Sequence, residues 1–214
     1  MNAGVRLLLV DDHEIVRAGL RTLLEREADF EVVGEATNGR KAIERVRELS
    51  PDVVVMDVRM PELNGIDATR QVIAAVPGVK VIGLSASEDD RMTIEMLRAG
   101  AAGHLTKSAA FEELVTAIRT VIKGNVYFRP SVVMRIATDS ADEPPHSAFE
   151  RLSSREREVL QLIAEGKATK EVAAMLSVSV KTAETHRRNL MEKLHVDSVA
   201  ELTKYAIREG LTST

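Results

Sequence analysis

The sequence lacks cysteine and tryptophan, contains only 3% aromatic residues, and has no long hydrophobic run. Without cysteine, disulfide bonds and thiolate metal sites are excluded. We identify neither a signal peptide nor a segment near the ~18 apolar residues that a membrane-spanning helix needs. The sequence therefore predicts a cytoplasmic protein with no membrane partner, and its 44% hydrophobic residues predict aliphatic cores.

The length of 214 residues suits two domains. A net formal charge of -4 argues against a generally basic surface for nucleic-acid binding. Positions 138–150 contain four acidic and no basic residues, whereas positions 151–214 contain 11 Lys and Arg against 9 Asp and Glu. Any affinity for DNA must therefore come from a local face of the C-terminal third.

An apolar segment at positions 53–56, which ends at Asp57, is the central stretch of the sequence. Three of its four residues are β-branched, which is typical of a strand buried on both faces of a parallel sheet. Ligands of open α/β sheets bind at the carboxyl ends of the strands, so Asp57 is a candidate for chemistry. Pro61, Asn64 and Gly65 predict a turn before the next helix. Taken alone, Asp57 could equally begin that turn.

Other predicted strands also end in polar residues, namely Asp11, Asp12, Ser85 and Lys107. Adjacent strand ends lie roughly 5 Å apart, so Asp11, Asp12 and Asp57 are expected to meet in one crevice. Three carboxylates so close repel one another unless a cation lies among them, and hard oxygen ligands favour Mg²⁺. With a hydroxyl and an ammonium group added, this edge of the sheet predicts a site for a phosphoryl group.

Short apolar runs alternate with amphipathic segments between positions 5 and 123, which predicts an α/β domain with a doubly wound, five-stranded parallel sheet of the flavodoxin-like type. The predicted strands lie near 6–10, 31–35, 53–56, 79–84 and 103–105. The predicted helices lie near 15–27, 39–49, 65–75, 90–99 and 111–122. Ile15, Leu20, Leu23 and Leu24 have the spacing of one helical face. No glycine-rich fingerprint follows a strand, so a nucleotide cofactor is not indicated.

The acidic, proline-containing segment 137–150 is typical of a linker, with one or two helical turns predicted just before it at 132–136. Beyond it, the pattern is purely helical, and capping boxes at Ser153 and Ser198 predict where two helices begin. Predicted helices at 169–176 and 180–194 are separated by three residues, which is typical of a helix-turn-helix. A plain helical hairpin with a solvated charged face is the alternative. We predict domains at 1–125 and 149–214, joined by a linker at 126–148.

Both halves resemble two-component response regulators of the NarL/FixJ family, which join a receiver domain to a LuxR-type output domain. In the first half the resemblance rests on these motifs: Val10-Asp11-Asp12-His13, Met56-Asp57-Val58-Arg59-Met60-Pro61, Asn64-Gly65, Leu84-Ser85-Ala86 and Lys107. In the second half it rests on these: Leu152-Ser153-Ser154-Arg155-Glu156, Lys170-Glu171-Val172-Ala173, Ser179-Val180-Lys181-Thr182-Ala183-Glu184 and Lys193-Leu194. The resemblance implies a receiver fold followed by a small all-α helix-turn-helix domain.

For the first half, the resemblance implies that Asp57 accepts a phosphoryl group from a sensor histidine kinase. Mg²⁺ would be held by Asp12, Asp57 and the backbone carbonyl of Arg59, with Asp11 acting through water. This arrangement would neutralise charge on the phosphoryl oxygens during transfer.

The resemblance also implies a switch. Lys107 would pair with one phosphoryl oxygen and Ser85 would hydrogen-bond another, which biases the loop after Ser85 toward a second conformation. His104 stands where many receivers carry an aromatic switch residue. It is either a rotating switch residue, with added pH sensitivity, or a half-exposed strand residue.

For the second half, the resemblance implies that the helix at 180–194 enters the major groove of double-stranded promoter DNA. We expect base-edge contacts from Glu184, Thr185 and Arg188. We expect phosphate contacts from Lys170, Lys181, Thr182 and Arg187. The last helix, with Val199, Leu202 and Tyr205, resembles a surface through which two output domains pair. Those apolar residues could equally belong to the core.

These features predict a transcription regulator that binds DNA as a homodimer after phosphorylation, with RNA polymerase as a further partner. One alternative is a receiver that acts without phosphorylation. Another is an aspartyl-phosphate phosphatase resembling the haloacid dehalogenase family, which carries a second Asp two residues after the nucleophile, where this chain has Arg59. We therefore expect no catalysis beyond the chain's own phosphorylation and dephosphorylation.

Overall fold

The computed structural model describes residues 4–87, 89–138, 148–149 and 151–212. The chain separates into two compact units, Met1–Ser140 and Ala141–Thr214, which we call the α/β unit and the helical unit. Most of the predicted linker segment at 137–150 lies outside the described residues, and the domain boundaries at 125 and 149 stay predictions. None of the described helices is long and apolar enough to cross a membrane.

The α/β unit contains the predicted doubly wound sheet, with its strands in the order β2-β1-β3-β4-β5. All neighbouring strands are parallel. Strands and helices alternate along the chain as β1 Val5–Val10, α1 Glu14–Leu24, β2 Phe30–Ala36, α2 Gly39–Leu49, β3 Val53–Asp57, α3 Gly65–Ala75, β4 Lys80–Ser85, α4 Asp90–Arg98, β5 Gly103–Thr106 and α5 Phe111–Ile122. The sequence prediction of this fold is confirmed.

The central strands β1 and β3 contribute to a core on each face of the sheet. Val54 and Met56 of β3 belong to one core cluster, whereas Val53 and Val55 belong to the other. Each fully buried aliphatic side chain contributes roughly 1.5–3 kcal/mol, and a one-residue slip would exchange the two faces. The register that pairs Val10 with Met56 therefore brings the following residues of β1 and β3 to the same edge.

Helix α1 differs from its predicted orientation. Ile15 is 84% exposed, so the predicted apolar face that included it is wrong at that position. Arg17 lies on the buried face instead, one turn before Leu20 and two turns before the fully buried Leu24. The guanidinium of Arg17 is accommodated there because it has hydrogen-bond acceptors at the end of β1 and on β2.

Helix α6, Pro130–Thr138, lies inside the predicted linker and confirms the short helix expected there. It packs against α4. Val132 is fully buried, and the Nη2 atom of Arg129 donates to Asp90 Oδ1 at 2.8 Å. The described part of this segment is thus attached to the α/β unit.

The helical unit contains α7 Ser154–Ala164, α8 Thr169–Met175, α9 Val180–Leu194 and α10 Val199–Arg208. Its first capping box is confirmed, because Ser153 accepts from the Glu156 backbone while Glu156 accepts from the Ser153 N–H. The second is only half formed. Ser198 accepts from the Glu201 N–H, but the Glu201 carboxylate accepts from the N–H of Asp197 rather than from Ser198.

Candidate functional site

The predicted acidic residues meet at the carboxyl edge of the sheet. Asp57 ends β3, Asp11 directly follows β1, and both side chains are almost completely buried. Between them lies the ammonium group of Lys107, whose Nζ is 2.6 Å from Asp11 Oδ2 and 2.8 Å from Asp57 Oδ2. Lys107 is held by its backbone N–H, which donates to the Ser85 carbonyl at 2.7 Å. One ammonium group is therefore shared by two buried acids, which leaves one net negative charge among the three side chains.

Burial raises the pKa of Asp57 to about 6, although the hydrogen bond from Lys107 opposes that shift and the nearby charge of Asp11 adds to it. Burial lowers the pKa of Lys107, but its ion pairs with Asp11 and Asp57 outweigh that effect and leave the pKa above its usual value. Asp57 is therefore a carboxylate whose negative charge is costly, and a cation placed beside it is favoured.

Asp12 and His13 complete the cluster. The Nδ1 atom of His13 is 2.9 Å from Asp12 Oδ1 and 3.1 Å from Asp11 Oδ1. Ligand atoms of Asp11, Asp12, His13 and Asp57 all lie within 4.8 Å of one another. Carboxylate oxygens are the ligands that hard divalent cations prefer, so this acidic pocket is compatible with a divalent metal ion.

The loop after β3 approaches Asp57 closely. The Arg59 N–H is 3.3 Å from Asp57 Oδ1, and the side chain of Arg59 is exposed. The Gly65 N–H donates to the Val58 carbonyl at 2.9 Å, and Asn64 caps α3 by accepting from the Asp67 N–H. These bonds place the start of α3 against the backbone of Asp57.

Ser85 ends β4 at the same edge, and its hydroxyl is already engaged. Its Oγ donates to the Ser87 carbonyl at 2.7 Å. A bond from Ser85 to a phosphoryl oxygen therefore requires that this contact break. The single hydroxyl proton of Ser85 is thus committed to the Ser87 carbonyl, and the switch role of Ser85 stays a prediction.

His104 is 5% exposed, so its interpretation as a half-exposed strand residue is wrong. Its Nδ1 lies 2.9 Å from the hydroxyl of the buried Thr93 on α4, while its buried Nε2 has no hydrogen-bond partner among the described residues. Burial lowers the pKa of His104 to about 4, and the positive charge of Arg129 adds to this effect. A pH response near neutrality is therefore not expected from His104.

The same shift predicts how the stability of the α/β unit depends on pH. An unfolded histidine has a pKa of about 6.5, and the depressed folded pKa means that neutral His104 stabilises the fold above that pH. This contribution is lost as pH falls from about 6.5 toward 4, by up to roughly 3 kcal/mol. We expect His104→Phe to flatten this dependence, measured by urea unfolding at a series of pH values.

The reporter for that experiment is Tyr127, since Tyr127 and Tyr205 are the two tyrosines in the chain. In a Tyr205→Phe background, tyrosine fluorescence follows the α/β unit alone. His13→Gln is the control because His13 is mostly exposed. An equal pH slope in His104→Phe and in the unsubstituted background would contradict the assignment to His104.

The predicted DNA-contacting residues lie on α9 and α8, and all are exposed or half-exposed. A shallow surface groove is bordered by Lys181, Glu184, Thr185, Arg187 and Arg188 among others. Ser179 caps α9 by accepting from the Thr182 N–H at 3.0 Å, which sets where the helix begins. Lys170, on α8, is also exposed. Exposure of these side chains is expected both of a DNA-binding face and of a helical hairpin with a solvated charged face, so the individual DNA contacts stay predictions.

The threonine hydroxyls of α9 are already bonded within the helix. Thr185 Oγ1 donates to the Lys181 carbonyl at 2.9 Å, and Thr182 Oγ1 lies 2.8 Å from Ser179 Oγ. With its proton donated within the helix, the Thr185 oxygen can only accept a further hydrogen bond, so the predicted base contact would be with the amino group of adenine or cytosine.

Helix α10 does not present the predicted apolar surface as a whole. Leu202 is 0% exposed and Tyr205 is 9% exposed, and both belong to the core of the helical unit. The core role that the sequence left open is thus the correct one for these two residues. Val199 is 45% exposed and remains available for a predicted dimer contact.

We expect Leu202→Ala to lower the free energy of unfolding of the helical unit by about 2–5 kcal/mol, because it removes a fully buried side chain and leaves a cavity. Val199→Ala, a turn away on the exposed face, should change it by no more than about 0.5 kcal/mol. In a Tyr127→Phe background, Tyr205 fluorescence reports this unfolding. Equal effects of the two substitutions would count against the core assignment.

The two halves of the chain match two family models. Residues 7–119 match the response regulator receiver domain, and residues 150–206 match the luxR family of bacterial regulatory proteins. The response regulator GacA of Pseudomonas aeruginosa is 38% identical over 208 residues, which cover 97% of each chain. The chain belongs to the response regulators. The response regulator UvrY of Escherichia coli K12 is also 38% identical, over 97% of this chain and 95% of UvrY.

Solved structures of response regulators extend the comparison. RcsB of Salmonella typhimurium matches with a TM-score of 0.65 and 27% identity, over 99% of this chain and 100% of that protein. RcsB of Salmonella enterica bound to a promoter in the presence of the phosphomimetic BeF3- matches with a TM-score of 0.63 and 29% identity, over 94% and 98%. This response regulator therefore combines a receiver domain with a DNA-binding output domain, the organisation of a two-component transcription regulator.

Three residues of the receiver domain were not assigned a role from the sequence, although they contact the site. They are His13, Arg17 and Thr93. A lone His or Thr on an amphipathic helix or its cap carries no signal of its own. Only for Arg17 was a sequence signal present, because it shares a helical face with Leu20 and Leu24.

Proposed function

We propose that Asp57 of this response regulator accepts a phosphoryl group from the phosphohistidine of a sensor histidine kinase, and that phosphorylation promotes a homodimer that binds promoter DNA. The observation that carries this proposal is the ammonium of Lys107 between the buried carboxylates of Asp11 and Asp57. An ammonium group at this position can pair with the Asp57 carboxylate before transfer and with a phosphoryl oxygen after it.

In the transfer step, a carboxylate oxygen of Asp57 attacks phosphorus in line with the departing imidazole. The new O–P bond forms an acyl phosphate, the P–N bond breaks, and its electron pair stays on the imidazole nitrogen. We assign Asp12, Asp57 and the backbone carbonyl of Arg59 as the groups that would hold Mg²⁺, with Asp11 acting through water. When bound, Mg²⁺ would neutralise charge on the phosphoryl oxygens.

After transfer, Lys107 exchanges its bond to Asp57 for one to a phosphoryl oxygen, and Ser85 exchanges the Ser87 carbonyl for another. The second change releases the Ser87 carbonyl and so acts on the loop between β4 and α4. His104 and Thr93 connect β5 with α4, so a shift of α4 would alter their 2.9 Å contact. The packing of α6 against α4 supports a route toward the output domain.

Turnover is proposed to be confined to the protein's own acyl phosphate. Arg59 stands two residues after Asp57, where a phosphatase of the alternative class needs a carboxylate acid/base. Sustained release of phosphate from an added phosphate monoester would contradict this proposal. RNA polymerase is proposed as a further partner of the DNA-bound dimer.

The proposed function is tested by size-exclusion chromatography with light scattering. We expect wild type with Mg²⁺ to shift from monomer to dimer on addition of beryllofluoride, which mimics a phosphoryl group on Asp57. Asp57→Ala should not shift, because it lacks the carboxylate that holds the mimic.

A second measurement ties that dimer to DNA. In selection from random duplexes, beryllofluoride-treated wild type is expected to enrich an inverted repeat, and Arg188→Ala is expected to enrich it poorly. A shift of Asp57→Ala to a dimer, or equal enrichment of the inverted repeat with and without beryllofluoride, would instead support a receiver that acts without phosphorylation.

A further inference from the structure

Arg17 lies on the buried face of α1 and is 9% exposed. Its Nη1 donates to the backbone carbonyl of Asp11 at 2.8 Å, and its Nε donates to Glu35 Oε2 at 3.0 Å. A buried guanidinium is tolerated only when its charge and its N–H groups find partners. Arg17 therefore ties α1 to the residue that follows β1 and to a carboxylate on β2.

These contacts constrain the backbone of Asp11 on both sides. The Asp11 N–H donates to the Ala36 carbonyl at 3.2 Å, while its own carbonyl accepts from Arg17. A residue whose backbone N–H and carbonyl are both hydrogen-bonded cannot change its backbone torsions without losing one of the two bonds. The backbone orientation from which the Asp11 side chain extends is fixed as a consequence.

This constraint opposes electrostatic repulsion. The acidic side chains of Asp11, Asp12 and Asp57 are close enough to share a cation, and like charges at such distances repel. A free loop would relax by turning Asp12 toward water, since Asp12 is the most exposed of the three. Arg17 limits this relaxation, because it holds the backbone of the loop at the Asp11 carbonyl.

We propose that Arg17 is a positioning residue for metal-dependent phosphorylation, acting through the Asp11 carbonyl to hold Asp11 and Asp12 in the geometry that binds Mg²⁺. This inference rests on the proposed function, because it concerns the metal that Asp57 chemistry uses. Arg17 itself touches neither Asp57 nor a reacting atom. Its effect is on metal affinity, not on the chemical step.

Arg21 provides a matched control. It lies one turn further along α1, and its Nε donates to the same Glu35 carboxylate at 2.7 Å. The Nη1 atom of Arg21 donates to Glu25 Oε1 at 3.0 Å. Arg17→Met and Arg21→Met thus remove the same charge and the same kind of bond to Glu35, but only Arg17→Met releases the Asp11 carbonyl.

The experiment uses the full-length protein and isothermal titration calorimetry with Mg²⁺ at constant ionic strength. We expect Arg17→Met to raise the Mg²⁺ dissociation constant about 10-fold or more, the range seen when outer groups that orient metal ligands are removed. Arg21→Met should stay within about twofold of wild type. The rate of phosphorylation by acetyl phosphate should fall for Arg17→Met at low Mg²⁺ and recover at saturating Mg²⁺.

The outcomes separate the possibilities. Equal Mg²⁺ affinities for Arg17→Met and Arg21→Met would overturn the inference. Arg17 would then have only a structural role, in which its hydrogen bonds join α1 to the sheet. If Arg17→Met does not fold, the same comparison is made with Arg17→Lys and Arg21→Lys, because lysine keeps the charge but cannot serve two acceptors as a planar fork. A wild type that binds no Mg²⁺ would overturn the proposed function, and the inference with it.

Discussion

The Asp57→Asn variant is expected to take up no phosphoryl group from acetyl phosphate, a loss of more than ~100-fold relative to wild type, because an amide cannot act as the attacking carboxylate. The side chain is almost completely buried at the end of β3, and asparagine has nearly the same shape. The loss of phosphorylation would therefore result from the missing carboxylate and not from a change in the structure of the site. Intact-mass spectrometry measures it directly as the absence of the added phosphoryl mass.

Stability provides the check that the variant is folded. Burial raises the pKa of Asp57 to about 6, above the ~3.9 of an unfolded aspartate. A raised carboxyl pKa means that the charged form destabilises the fold above pH 6, so removal of that charge should leave the metal-free protein at least as stable at about pH 7.5. A marked loss of stability would contradict this interpretation of the site.

Asp52→Asn is the matched control for phosphorylation. Asp52 directly precedes β3, at the opposite edge of the sheet, and its carboxylate accepts from the Arg6 N–H at 2.8 Å. We expect Asp52→Asn to be phosphorylated like wild type. Phosphorylation that persists in Asp57→Asn would place the acceptor on a different residue.

The Gly65→Ala variant is expected to lose about 3 kcal/mol or more of stability in the α/β unit, at or above the usual cost of overpacking. A Cβ at Gly65 would lie 2.1 Å from the Asp57 carbonyl oxygen and 2.9 Å from Val58 Cα. These are backbone atoms, so no side-chain rotation relieves the clash. The backbone of Asp57 itself must move.

Phosphorylation of Gly65→Ala should consequently slow on the order of 100-fold, since misplacement of a reacting group by ~1 Å has effects of that size. Gly19→Ala is the control. Gly19 is an exposed residue of α1, and a Cβ added there would meet no atom within 4 Å, so alanine should add roughly 0.5–1 kcal/mol of helix stability. Urea unfolding and acetyl phosphate kinetics measure both effects. A Gly65→Ala protein with wild-type kinetics would show that Asp57 tolerates displacement.

Much of this molecule was predictable because strands and helices bury their side chains with different periods. The apolar runs that end at Val10 and Met56 predicted the central strands, and the polar residues after them identified the edge where Asp11, Asp57 and Lys107 meet. The helix-turn-helix was equally predictable, since helices α8 and α9 are bounded by short turns. Ile15 was the exception. Its spacing predicted that it lies on the buried face of α1 with Leu20 and Leu24, but in the structure Ile15 is exposed and Arg17 lies on that face.

Hydrophobic periodicity and the residues that end each strand were sufficient to predict the α/β fold and the cluster of Asp11, Asp57 and Lys107, whereas the two domain types were predicted from the resemblance to response regulators. Three-dimensional packing was needed to establish that His104 is buried against Thr93, that Leu202 and Tyr205 are core residues, and that Ser85 is bound to Ser87. These contacts were not predictable, because the choice of partner depends on groups that are distant in sequence and on the rotamers that packing permits. Arg17 shows the same limit, because its acceptors on Asp11 and Glu35 meet only when β1, β2 and α1 have assembled.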